Sequence, residues 1–396
     1  MPSDRRDEER TALQAHLAQW GLRHFLSDAD YFAWQRKALS STDLNQLNRQ
    51  VERKRSGDLR DEIAFYDLTA QPHILPVLYS QRYEYYCEIG ARVARRINSA
   101  NTVLDVGCGV GILTTFYARR HPERQFIGID RSPASVVTAR QQAERLGLKN
   151  VRFHCEGVET APQSAPYDLI VATHALVQAE QDPGIPSRSW QTFERARDSC
   201  LQADFEQRAG IGVRLDRLTG LLSPGGRCIA FEKTRQLARR VPFQRALAAR
   251  GWQLAEQPEL IRYRLVEEVA DDGPFYVLQT DGEGSWAWDE SPEPDEGQPF
   301  VPEVLRDQPY DPNAPLYENH WPSAQRAWER LTDRTVMNEC TRQEADGRQF
   351  HVELGRVADG AYLYCANTFD QRQLVIVAPA QAADLEGYYR EIVAAP

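Results

Sequence analysis

The first 98 residues repeat apolar positions at helical spacing. Leu13, Leu17 and Trp20 mark one face of a helix over Glu8–Trp20. A second helix is expected through Tyr31–Trp34, and Ser41 or Thr42 is a candidate cap for a charged third one. After Pro76, the residues Tyr79, Tyr83, Tyr86, Gly90, Val93 and Ile97 fall on one face of a continuous helix. This aromatic stripe either packs against the next domain or forms a lid over a ligand.

From residue 101 the period changes. Apolar, β-branched runs predict strands at Thr102–Val106, Gln125–Ile129, Val151–Cys155, Asp168–Thr173 and Arg227–Glu232. Between them lie helical stretches at Ile112–Arg120, Pro133–Leu146, Ser189–Leu222 and Leu237–Arg250, the second capped by Ser132. Ser223-Pro224-Gly225-Gly226 reads as a turn, and Leu260–Val269 with Pro274–Gln279 reads as a hairpin joined by Asp271-Asp272-Gly273. Such alternation predicts an α/β fold, a doubly wound and mainly parallel sheet of seven strands. The expected division is a helical segment or lid over 1–98, a sheet domain over 99–280, an acidic proline-rich linker over 281–315 and a small C-terminal α+β domain over 316–396. In the last, a helix at Ser323–Thr332, four strands at Thr335–Arg342, Phe350–Arg356, Ala361–Asn367 and Gln373–Val377, and a helix at Gln381–Val393 are expected.

Composition narrows the class. No apolar run among the 396 residues approaches the length of a membrane span, and the charged N-terminus lacks the apolar region of a signal peptide, so a cytoplasmic protein is expected. The net charge of −10 argues against a nucleic-acid partner. Lysine occurs only at 37, 54, 149 and 233, an arginine bias that fits a GC-rich bacterial genome. The seven cysteines have no metal-ligand spacing, so no metal is expected. The strand edge of the C-terminal module suits pairing with a second copy of the chain.

Candidate chemistry centres on Val103-Leu104-Asp105-Val106-Gly107-Cys108-Gly109-Val110-Gly111, a strand running into a glycine-rich turn that opens a helix. Such a turn brings backbone N–H groups close to a ligand at the carboxyl ends of the strands. Asp130 ends the second strand, where a carboxylate can accept both hydroxyls of a ribose. Cys155-Glu156-Gly157-Val158-Glu159 ends the third and offers a carboxylate to an adenine amino group. Thr173 and His174 end the fourth. A nicotinamide or flavin fingerprint needs a glycine where Ile112 stands.

These blocks, in this order, resemble the class I S-adenosylmethionine (SAM)-dependent methyltransferases over residues 101–280. The resemblance implies that Asp105 and the loop Gly107, Cys108, Gly109 and Gly111 hold the methionine part of SAM, that Asp130 binds the ribose, and that Arg131 lies by the adenine. Glu156 or Glu159, beside Gly157 and Val158, would contact the adenine amino group. The family often has Gly-Asp at this point, and this chain has Glu156-Gly157. Thr173 and Tyr83 complete the expected cofactor-binding set.

The implied reaction is transfer of a methyl group to a small-molecule acceptor by in-line displacement, in which the protein aligns the reactants. A general base is needed only if the acceptor must lose a proton, and His174 is the candidate. His154 inside the third strand is read as structural, while Tyr79, Tyr83, His320 and Trp321 are further pocket candidates. Two other readings stay open. One is a protein arginine methyltransferase, suggested by Asn319-His320-Trp321 but lacking the paired glutamates, since Glu180 stands alone after the fourth strand. The other is a SAM-binding protein that cyclises or cleaves SAM, or a non-catalytic SAM-binding subunit.

Overall fold

The computed structural model describes residues 2–55, 57–161, 166–177, 182–282, 286–292, 297, 300, 311, 314–344 and 347–395, the side chains of 2–7 and 98 excepted. In chain order the elements are α1 Pro2–Gln19, α2 Asp28–Ala38, α3 Ser41–Lys54, α4 Leu59–Thr69, α5 Leu75–Ser80, α6 Tyr83–Ala94, β1 Thr102–Val106, α7 Ile112–Arg120, β2 Gln125–Asp130, α8 Pro133–Arg145, β3 Val151–Cys155 and β4 Tyr167–Thr173. There follow α9 Ser199–Arg208, α10 Ile211–Leu221, β5 Leu222–Phe231, α11 Leu237–Ala248, β6 Gln253–Leu254, β7 Glu259–Arg264 and β8 Val269–Gln279. The last elements are β9 Tyr317–His320, α12 Trp321–Glu329, β10 Thr335–Gln343, β11 Gln349–Val357, β12 Gly360–Asn367, β13 Arg372–Val377 and α13 Ala382–Ala394. The chain forms two compact units. The first comprises 1–182, 206–235 and 243–288, the second 183–205, 236–242 and 289–396. No described helix is long and apolar enough to cross a membrane.

The first unit holds a sheet in the order β3-β2-β1-β4-β5-β8-β6, with β7 also paired to β8. The five strands β1 to β5 are parallel, and β8 returns antiparallel to β5, so the doubly wound α/β expectation holds. There are eight strands rather than seven, because long β8 pairs with β6 at one end and β7 at the other. The hairpin turn lies at 265–268, where Leu265 N–H donates to the Glu268 carbonyl at 2.8 Å. It does not lie at Asp271-Asp272-Gly273, which stays inside β8. Pairing with β7, where Arg262 stands opposite Asp271, overrides the local turn preference of that tripeptide. Ser223–Gly226 bulges out within β5, between the pairs Tyr167–Leu222 and Leu169–Arg227. The expected long helix from Ser189 is replaced by an irregular segment before α9.

The helix expected after Pro76 is broken into α5 and α6 at Gln81-Arg82, where Arg82 leaves helical geometry (φ −101°, ψ 20°). The cap of α3 is Ser40, one residue before Ser41 and two before Thr42. It forms a reciprocal pair with Asp43, which supplies the back-bond from the third helical position. Asp67 of α4 accepts from Ser132 Oγ (2.6 Å) and Ala134 N–H (3.1 Å), anchoring the N-terminal helices to the start of α8. Leu13 and Leu17 of α1 are fully buried with Ile89 and Val93 of α6. Gly90 lets these helices meet, since a Cβ there would stand 2.7 Å from Leu13 and 2.8 Å from Leu113.

The second unit is a five-stranded antiparallel sheet in the order β10-β11-β12-β13-β9. The edge strand β9 was not foreseen. One face packs Tyr362, Tyr364, Leu374 and Ile376 with α12, and the other packs Val352, Leu354 and Leu363 with Leu385 of α13. Truncating Leu13 to Ala is expected to cost about 2–5 kcal/mol. Urea denaturation followed by circular dichroism measures it, and a loss below about 1 kcal/mol would contradict the described docking of α1.

Candidate active site

The carboxyl ends of β1, β2 and β4 converge, and these largely buried strands end in residues that keep some exposure. These are Gly107, Cys108, Gly109, Asp130, Arg131, Thr173, His174 and Ala175. Partial exposure after buried strands defines a crevice where a doubly wound sheet binds ligands. Gly107 and Cys108 donate their N–H groups to the Ile129 carbonyl at 2.9 and 3.0 Å, and Gly111 N–H closes the turn on Cys108 at 3.0 Å. Gly109 and Gly111 are left-handed (φ 55° and 82°). They differ in surroundings. A Cβ on Gly111 would stand 2.8 Å from Ala139, whereas one on Gly109 would meet nothing within 4 Å. Gly109 therefore faces the open crevice, and Gly111 faces packed protein.

Asp130 sets its carboxylate against the glycine loop. Among the described residues it accepts only backbone hydrogen bonds, from Gly109 (2.9 Å) and Ser132 (2.9 Å). Burial raises its pKa, and those two N–H groups oppose the rise. Asp105 lies behind it, accepting from Thr114 Oγ1 at 2.5 Å, and burial pushes it up to about 7. Glu159 is differently placed. Although burial would raise it, Arg214 (2.7 Å) and Arg131 grip its carboxylate and hold its pKa down to about 2. Glu159 is thus committed to an ion-pair network. Among the described residues Glu156 has no such network, and it lies beside Gly157, whose Cβ position abuts Arg131 and Glu159.

The loop after β4 is braced by Glu232. Its Oε1 accepts from the N–H groups of Ala175 (2.9 Å) and Leu176 (3.0 Å), and Oε2 accepts from Val177 (3.2 Å). Burial pushes this carboxyl up to about 7 against those three bonds. His174 N–H donates to the Phe231 carbonyl at 2.8 Å, and its φ is 55°, a strained value for histidine. The imidazole lies between three elements. Tyr85 of α6 stacks on it at 5.1 Å, Arg82 places a guanidinium nitrogen 2.6 Å from Nδ1, and Asp272 of β8 lies 3.1 Å from Nε2. The last contact is not aligned as a hydrogen bond, since Nε2 has no well-directed partner.

Arginine can only donate, so Nδ1 must accept and the proton sits on Nε2, toward Asp272. Arg82 occupies the lone pair of Nδ1 and Nε2 carries the proton, so the ring has no free lone pair for the role of general base. Burial lowers the His174 pKa to about 4; Arg82 adds to this and Asp272 opposes it. Tyr263 donates its hydroxyl to Asp272, which stays ionised near 2 despite burial. Arg82, Tyr85, Glu232, Tyr263 and Asp272 were all missed in the sequence, because each reaches the site through tertiary pairing. Only the odd Arg82 between two helical apolar runs gives a local sign.

Of the other expected site residues, Tyr83 packs on His24 (5.1 Å) and lines a small cleft with Glu84 and Arg264, none of them from the glycine loop. Its neighbour Tyr85 takes the place by β4, where burial pushes its hydroxyl up to about 12 while Arg82 and a hydrogen bond with Thr173 oppose the rise. Tyr79 is near Asp130 and Arg82, beside a hydrogen bond to Thr69. His154 is exposed on β3. His320 and Trp321 belong to the second unit, exposed at the start of α12. Cys108 lies under Gly128. Glu180 is outside the described residues.

Residues 97–259 match a family described as a methyltransferase domain. A methyltransferase domain, whose cofactor is SAM, therefore fills less than half of the chain. It is 28% identical over 193 residues to a release factor glutamine methyltransferase of Salmonella typhimurium, covering 48% of this chain and 67% of that relative. It is 30% identical over 148 residues to a malonyl-[acyl-carrier protein] O-methyltransferase of Acetivibrio thermocellus, covering 32% of this chain and 50% of that one. The chain thus spans between half and two thirds of the length of these two relatives. Among solved structures, magnesium protoporphyrin IX methyltransferase of Synechocystis with bound SAM is 16% identical with a TM-score of 0.34, covering 51% of this chain and 79% of that one. The crevice fits SAM on its own geometry. Among the described residues Asp130 is a carboxylate with only N–H partners, and Gly109 leaves open the space that a side chain would fill.

The two glycines separate fold from binding. Gly109→Ala is expected to cost about 1 kcal/mol of stability for its left-handed backbone yet weaken S-adenosylhomocysteine binding at least about tenfold. Gly111→Ala is expected to lower the urea midpoint further, because its Cβ meets Ala139. Calorimetry showing unchanged affinity for Gly109→Ala would refute the assignment. The lowered pKa of His174 has a sign of its own. The unfolded chain takes a proton near 6.5 and the folded one only near 4, so acidification through that window weakens the fold. His174→Gln should lose less stability than the wild type between pH 7 and pH 5 in urea titrations, and equal losses would show that His174 is not buried neutral.

Proposed function

We propose that this chain transfers a methyl group from SAM to a small-molecule acceptor. SAM, when bound, supplies a methyl group activated by a sulfonium. Asp130 and the Gly107–Gly111 loop hold it, and Glu156 is the adenine-side carboxylate that has no ion pair among the described residues. The observation that carries the small-molecule reading is the roof over the end of β4. There Tyr85, Tyr86 and Tyr263 are almost fully buried, and Arg82 lies with its guanidinium over the Tyr85 ring at 4.4 Å. Such a roof excludes water and encloses a compact acceptor rather than a polypeptide.

The same geometry supports an acceptor that carries an anionic or strongly accepting group. Among the described residues no carboxylate lies within ion-pair distance of Arg82. Its other N–H groups are therefore available to a substrate oxygen. His174 acts here as a positioning residue. It fixes the guanidinium through Nδ1, and Asp272 and Tyr263 hold its other edge.

A second reading, methylation of a protein side chain, draws on the likeness to release factor glutamine methyltransferase. Incubating the chain with SAM labelled at the methyl group and a cell extract, then separating the extract by mass, distinguishes the two. The expected result is label in the low-mass fraction together with S-adenosylhomocysteine. Arg82→Met should cut that labelling at least about thirtyfold, the loss of a buried charged hydrogen bond. Its S-adenosylhomocysteine affinity should stay within about threefold. Label confined to protein, or methylthioadenosine as the product, would overturn the proposal.

A further inference from the structure

The structure assigns to the second unit a binding site for a divalent transition cation, formed by Glu339, His351 and Glu353. β10 and β11 run antiparallel with Glu339 directly opposite Glu353 and Thr341 opposite His351. Cross-strand partners and alternate residues share one face of a sheet, so the two carboxylates and the imidazole project together. One ligand atom from each of the three lies within 4.8 Å of the others, the one such group among the described residues. Two carboxylates facing each other across a strand pair repel unless a cation lies between them.

His351 points independently to a ligand. Its side chain is 1% exposed and its Nε2 has no hydrogen-bond partner, although 3.7 Å separates it from Glu353 Oε2. An orphaned buried nitrogen costs about 1–3 kcal/mol when nothing satisfies it. The ring is held by its surroundings in the way a metal ligand is held. Trp190 stacks flat on it at 3.6 Å and 2°, and Nδ1 lies 2.7 Å from Thr341 Oγ1. With Nδ1–H donated to that hydroxyl, Nε2 carries the lone pair. Glu353 is oriented likewise. Its Oε1 accepts from Trp328 Nε1 (3.0 Å) and Tyr362 OH (2.5 Å), with Arg334 at 3.9 Å, which leaves Oε2 turned to His351.

Metal bonds of about 2.1 Å place tetrahedral ligands about 3.4 Å apart, so the 3.7 Å separation needs only a few tenths of an ångström of closure. One nitrogen and two oxygens suit zinc(II) or a neighbouring divalent ion, and exposed Glu339 leaves room for water as further ligands.

The test is calorimetric titration of the chelator-stripped full-length chain with zinc chloride. We expect one saturable site that Glu339→Gln weakens at least about tenfold and His351→Ala removes. His320→Ala, which alters the exposed Glu318–His320 pair, should retain it. Because His351 is packed in the core, circular dichroism melting accompanies each variant. Exposed Glu339 gives a variant whose folding is not at stake, and zinc should raise the melting temperature of the wild type but not of Glu339→Gln. Absence of a saturable site, or a site that survives Glu339→Gln undiminished, would overturn the assignment. Neither result bears on methyl transfer, since these residues lie outside the matched domain.

Discussion

A carboxylate buried at the end of β5 holds the wall of the crevice in place. Glu232 gathers three successive backbone N–H groups of the loop after β4, a concentration of donors that a loop turning inside a protein otherwise leaves unsatisfied. Each of those donors would cost more unpaired than the bond returns when made. The loop therefore has little choice of path. His174 enters it in a left-handed conformation, and Ala175 comes to rest against Gly107. The separation between the glycine loop and the reacting side of the crevice follows from that one brace.

On this fixed wall the chain builds a line of alternating charge. Arg82 comes from the break between α5 and α6, His174 from β4, and Asp272 with Tyr263 from the β7–β8 hairpin. A neutral imidazole between a cation and an anion transmits orientation without carrying charge itself. Burial keeps it neutral, and the arginine fixes which nitrogen bears the proton. The arrangement is rigid because its members come from elements anchored separately: α6 against α1, and β8 in the sheet beside β5.

How much of this could be read from residues alone depends on range. The strand–helix alternation, the glycine loop, Asp130 and the cap at Ser132 are local signals, and they stand where expected. Asp271-Asp272-Gly273 carries the composition of a turn, yet pairing with β7 drafts it into a strand. The tyrosine stripe after Pro76 has helical spacing, and the break at Arg82 moves the ring beside β4 from Tyr83 to Tyr85. The same limit applies to Glu339, His351 and Glu353. Their spacing of twelve and two matches no linear metal motif, and only strand pairing brings them together. What escaped the sequence was in each case a contact made across the fold rather than along the chain.

The pleat of β8 gives that register a sharp consequence. Its two adjacent aspartates face opposite sides: Asp271 meets Arg235 and Arg262, while Asp272 meets His174 and Tyr263. Sliding β8 by one position against β5 would exchange them, handing the imidazole a carboxylate whose own arginines had been left behind. The strand thus tolerates insertions beyond its ends far better than within them. The chemistry of the crevice rests on a count of residues along β8 as much as on their identity.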